Sequence, residues 1–144
     1  MDLVYNMEKD LEEKYWKKLW SNVNMSSKYG AAGARELKNP KLQGRVRKGN
    51  QSTAYHEVSI TIDDLKEQWE KQNGKCYWLR INMSLPDLMV SRSPFAVSVD
   101  RLDSNGHYTK NNIVLTTRFA NLGRGAYAGE DFQERLDKLL ADRI

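Results

Sequence analysis

Apolar residues recur every four positions from Leu3 through Met7, Leu11, Tyr15 and Leu19 to Val23, with Trp16 and Trp20 beside the stripe. That spacing predicts an amphipathic helix from about Asp2 to Val23. "HEVSITI" then alternates Val58, Ile60 and Ile62, which suits a short extended stretch. Thr61, with Asp64 three residues on, is a helix-start signature. The helix it opens carries Leu65 and Trp69 on one face and ends at Asn73-Gly74. "CYWLRI" reads as a strand or turn, "SLPDLMVSRSP" as a loop with two prolines, and "FAVSV" as a short strand. "RLDSNGHYTKN" is polar and turn-forming, hence a loop, and "IVLT" is a second strand. A short helix follows from about Thr116 to Leu122, stopped by "GRG". "EDFQERLDKLLADRI" closes the chain as an amphipathic helix that buries Phe132, Leu136 and Leu139 or Leu140.

The expected fold class is therefore α+β, with a strand, long loop, strand and helix forming a ββα unit over about 96–123. Asp100 and Arg101 end its first strand, Asn112 opens its second, and Asn121 lies on its helix.

Composition narrows the function classes. At 144 residues the chain makes one domain, with or without an appendage. Mean hydropathy is -0.75, and no apolar run approaches the roughly 20 residues of a membrane span. The first residues lack a signal peptide's basic start and apolar core, and Cys76 is the single cysteine. No disulfide framework is possible, and a reducing, cytoplasmic location is expected. A net charge of +4 and a pI near 9.1 suggest a polyanionic partner. The charge is concentrated: Lys28, Arg35, Lys38, Lys41, Arg45, Arg47 and Lys48 stand against the single Glu36. This segment reads either as a phosphate-tracking arm or as a solvated linker. The chain accordingly divides into residues 1–55, a helix plus basic segment, and residues 56–144.

Phosphodiester hydrolysis needs a cation at the scissile phosphate, a base for water and a donor for the developing charge. Mg²⁺ takes oxygen ligands, which Asp100 and Asn121 can offer. Arg101 can fork onto a phosphate. Asn112 can pin the long loop through bonds to backbone. Arg118 and Arg124, near the ends of the short helix, join the candidate DNA contacts.

"SVDRLD", "GHYTKNN" and "FAN" resemble the HNH, or ββα-metal, endonucleases. The likeness is greatest to the short phage-type members, whose motif runs Ser-x-Asp-Arg, then Gly-Tyr-x-x-x-Asn, then Ala-Asn on a helix. It covers about Val58 to Gly125 and is specific from Ser98 to Asn121. The resemblance implies a DNA endonuclease, homing or nicking in type, phage-encoded and acting in the host cytoplasm. It implies Mg²⁺ or Mn²⁺ held by Asp100 and Asn121, with Asn112 at the family's middle Asn. Arg101 stands where the family has its general-base His, and arginine is a poor base. His56 or His107 is then the expected base, with His56 favoured. Many members brace the unit with zinc on paired cysteines. One cysteine excludes a four-cysteine site, so Trp78, Leu79, Phe95, Leu115 and Phe119 are expected to brace it, with Cys76 a small buried residue. The rival readings are a DNA-binding protein without catalysis on the same scaffold, and a structure-specific enzyme for junctions or flaps.

Overall fold

A computed structural model of the chain describes residues 2–38 (backbone alone from 27 onward), 56–125 and 127–143. The element order is α1 (Asp2–Lys38), α2 (Ile62–Lys71), a 3₁₀ turn (Leu85–Met89), β1 (Val97–Arg101), β2 (Ile113–Thr117), α3 (Arg118–Arg124) and α4 (Gly129–Asp142). The architecture is mixed α+β, and the order strand, loop, strand, helix holds from 97 to 124. α1 runs fifteen residues beyond the expected end at Val23, so residues 28–38 are helical in backbone rather than a linker.

The core explains which turns of α1 matter. Trp16, Leu19 and Val23 are buried in one cluster with Leu65 of α2, Val97 and Val99 of β1, and Ile113 and Leu115 of β2. Earlier members of the stripe, Leu3, Met7 and Leu11, are exposed. Trp16 meets Trp69 of α2 edge to face, with centroids 5.8 Å apart. The α2 capping box forms as its sequence predicts: Thr61 Oγ1 accepts from the Asp64 amide at 3.2 Å, and Asp64 accepts from the Thr61 amide at 2.9 Å. Asn73 and Gly74, both at positive φ, turn the chain out of this helix.

β1 and β2 pair antiparallel in the register Val97↔Thr117, Val99↔Leu115 and Arg101↔Ile113. The outer edge of β2 is closed by a side chain. The Gln72 amide accepts from the Leu115 amide (2.9 Å) and donates to its carbonyl (2.7 Å), as a neighbouring strand would. Cys76 is buried and its Sγ accepts from the Thr117 amide at 3.3 Å. Thr117 Oγ1 then caps α3 by accepting from the Ala120 amide. The chain thus reverses at Thr117, and α3 runs alongside β1 in the same sense.

Several expectations are corrected. "SLPDLMVSRSP" holds a 3₁₀ turn rather than loop alone, with proline in its first turn. α3 begins and ends two residues later than expected. Phe95 and Phe119 do not brace the unit: they are 60% and 63% exposed, while Trp78, Leu115 and half-buried Leu79 do pack inside. α4 reaches the core through Phe132 and Leu136, and Leu139 and Leu140 stay exposed. Phe132 meets the Trp78 ring edge to face, with centroids 5.3 Å apart. Among the described residues, no helix is long and apolar enough to cross a membrane.

Candidate functional site

Alternation along β1 sends Val97 and Val99 into the core cluster and leaves Ser98 and Asp100 for the side that α3 covers. On α3, Asn121 and Arg124 are one turn apart and share a face. Because α3 and β1 run the same way, Asn121 meets Ser98 and Arg124 meets Asp100. Asn121 Nδ2 donates to Ser98 Oγ at 2.8 Å and lies 3.4 Å from the Val99 carbonyl. Arg124 Nη1 donates to both oxygens of Asp100 at 2.8 Å, and Trp78 Nε1 donates to Oδ2 at 2.9 Å.

The Asp100–Arg124 pair is the most enclosed ion pair among the described residues. The two residues are 5% and 3% exposed. The guanidinium also donates to the carbonyls of Arg101, Leu102 and Tyr127, and lies 5.1 Å from the Trp78 ring centroid. Sequence reasoning placed Arg124 among the DNA contacts, and the structure corrects this: its donors are committed inside the protein. The signal that could have found it was spacing. Two residues of strand span about 6.6 Å and three of helix about 4.5 Å, so a long side chain after Asn121 reaches the carboxylate two after Ser98.

Asp100 and Asn121 were the expected ligands of a divalent cation. Mg²⁺ keeps several waters and needs lone pairs it can reach. Here both Asp100 oxygens accept from a guanidinium, and Asn121 turns its amide nitrogen, not its oxygen, toward β1. An ion at Asp100 would meet a positive charge already in place. As arranged, these donors do not fit the ion, and Arg124 supplies the charge that would neutralise the carboxylate. Among the described residues no group of three or more His, Cys, Asp or Glu side chains could hold a metal.

Arg101 points away from Asp100. Its Nη1 donates to the carbonyls of Ser104 and Gly106 and lies 2.8 Å from His56 Nδ1. Its guanidinium carbon is 5.2 Å from the Tyr108 ring centroid. The His56 contact spans 45 residues, and a backbone clip creates it. Tyr108 donates to the Glu57 carbonyl, and the Ser59 amide donates to the Tyr108 carbonyl, which brings residue 56 to the loop. A guanidinium nitrogen only donates, so Nδ1 accepts and the neutral ring carries its proton on Nε2. Burial, and next the Arg101 charge, hold His56 below the usual imidazole range. The Gly106 carbonyl, which would accept from the protonated ring, offsets part of this. His107 Nδ1 accepts from the Glu57 amide at 2.9 Å. Both expected bases therefore lie at the loop, and each has its Nδ1 lone pair engaged.

Asn112 pins the loop as its position suggested. Its Oδ1 accepts from the Asp103 amide (2.9 Å), and its Nδ2 donates to the carbonyls of Asp103 (3.1 Å) and His107 (2.9 Å). A Cβ at Gly106 would stand 2.6 Å from Asn112 Nδ2, so a side chain here would displace the Asn112 amide from its bonds. Arg118 is exposed at the start of α3. The candidate contacts Lys41, Arg45, Arg47 and Lys48 lie outside the described residues, as do the side chains of Lys28, Arg35 and Lys38.

No family model matches the chain, and neither does any curated protein or solved structure.

Proposed function

We propose that this chain is a DNA endonuclease, a phosphodiester hydrolase working from the end of the β1–β2 ribbon. One observation carries the reading. Arg101 and His56 meet over the 104–106 loop that Asn112 pins, and Asp100 and Asn121 lie along the adjoining strand against α3. A cation and a neutral imidazole on a pinned loop, with a carboxylate and a carboxamide on the strand that leads to it, are groups that a phosphate-handling site uses. Arg101 is the group placed to meet a phosphate. Its Nη1 is anchored by three acceptors, while Nε and Nη2 make no hydrogen bond to a described residue. Its role is to hold the phosphodiester and stabilise developing charge. Asn112 keeps the loop carbonyls that anchor Arg101 in place. Water activation falls to His56 or His107, each of which must first give up the contact at Nδ1.

A second reading, a DNA-binding protein without catalysis, is favoured by Arg124 on Asp100 and by the engaged imidazoles. Nicking of supercoiled plasmid, with and without EDTA, separates the two, provided binding is measured in parallel by fluorescence anisotropy. Arg101→Ala is expected to slow nicking by about 10²-fold or more, the scale of a lost transition-state donor. Binding without nicking in the unaltered chain would sink the endonuclease reading and leave the second.

A further inference from the structure

A cleft of about 710 Å³ runs along β1 between α1, the 3₁₀ turn and α3, and reaches both Val97 and Val99 and the Ser98–Asn121 contact. Its lining holds three exposed cations, Lys18, Arg92 and Arg118, and no carboxylate. None of the three makes an ion pair or a side-chain hydrogen bond with a described residue. A second cleft, where the 102–105 loop meets Arg124 and α4, has the reverse character: it is lined by Asp103, Glu130, Asp131, Glu134 and Asp137, with Arg80 and Arg124 the cations.

Three like charges gathered without a counter-ion repel one another, and a polyanion relieves the repulsion. Arg92 adds a backbone observation. Its φ of +59° lies in the left-handed region, which a long side chain occupies at a cost and glycine does not. Beside the cations stand apolar side chains open to solvent, Met89, Val90 and Leu122. Cations along a groove with apolar surface beside them suit a strand whose phosphates and sugar or base faces are both contacted.

We propose that this cleft binds one strand of DNA, its phosphates on Lys18, Arg92 and Arg118 and its sugars and bases against Met89, Val90 and Leu122. The strand would run over Ser98 and Asn121 toward the site described above. The proposal deepens the endonuclease reading and rests on it for the choice of DNA. A volume of this size, on the scale of a small-molecule site, takes a short stretch of single strand rather than a duplex.

The test is the salt dependence of binding to a fluorescein-labelled single-stranded oligonucleotide by the full chain. The variant Lys18→Ala/Arg92→Gly/Arg118→Ala should bind more weakly. Its log-log salt slope should be flatter by about two, from about -0.7 per phosphate contact on a single strand. Arg92→Gly alone should lose affinity while its unfolding midpoint stays the same or rises, because glycine relieves the positive φ. An unchanged affinity and slope in the triple variant overturns the proposal, and so does equal competition by poly-glutamate, which would mark an acidic peptide as the occupant. Plasmid nicking at saturating DNA keeps the two readings apart. Nicking with an unchanged slope leaves the endonuclease standing without this cleft. A flattened slope in a chain that nicks nothing leaves the cleft standing without the endonuclease.

Discussion

Removing Arg124 should unfold a large fraction of this protein's stability, because it strands a carboxylate that water scarcely reaches. Asp100 is 5% exposed and takes both of its Arg124 bonds at 2.8 Å. Breaking a buried ion pair by removing one partner costs about 3–5 kcal/mol. The carbonyls of Arg101, Leu102 and Tyr127 lose a donor in the same step, which places Arg124→Ala at the upper end of that range. Against a total of about 5–15 kcal/mol, this is a third or more of the stability. At about 2–4 °C per kcal/mol, the thermal midpoint should fall by about 10 °C or more. Urea unfolding followed by circular dichroism measures the loss. A double-mutant cycle with Asp100→Ala then isolates the pair, and the single losses should sum to about 2 kcal/mol or more beyond the double. Arg124→Lys keeps the charge but not the fork of donors, so it should recover only part of the loss. A loss below about 1 kcal/mol for Arg124→Ala, or additive single effects, would place the pair with weak surface ion pairs and refute this reasoning.

The loop should respond to Asn112 by more than its stability cost. Asn112→Ala is expected to destabilise by about 1–3 kcal/mol and to speed hydrogen exchange at the Asp103 amide, which donates to Asn112 Oδ1; unchanged exchange there would show that the loop holds itself. Gly106→Ala should release the same pin by steric conflict with Asn112 Nδ2, and a variant as stable as the parent would contradict that contact. His56 sets a pH dependence. Its folded value lies below the usual 6.5, so the unfolded chain binds the proton more readily, and the stability owed to the neutral ring is full above about 6.5. It is lost as pH falls from there through the lowered folded value, and His56→Gln should flatten denaturant-measured stability across that window.

What could be read along the chain was local. The Thr61–Asp64 box, the Asn73-Gly74 stop and the alternation of β1 are set by neighbours within four residues, and all three appear in the structure. The loop pin at Asn112 was legible for the same reason, since a carboxamide at a strand mouth reaches the backbone of its own loop. α1 was underestimated because its apolar stripe stops at Val23, the last buried side chain of α1 among the described residues, although helical backbone continues to Lys38. Tertiary structure decided the rest. Phe95 and Phe119 are as apolar as any core residue, yet both stay more than half exposed. His56 reaches Arg101 only because Tyr108 is clipped to residues 57 and 59. Arg124 carries the same charge as Arg118, but one lines an open cleft and the other closes on Asp100. The reversal at Thr117 aligns α3 with β1, and whether a cation faces an open cleft or a buried carboxylate depends on that alignment rather than on the residue itself.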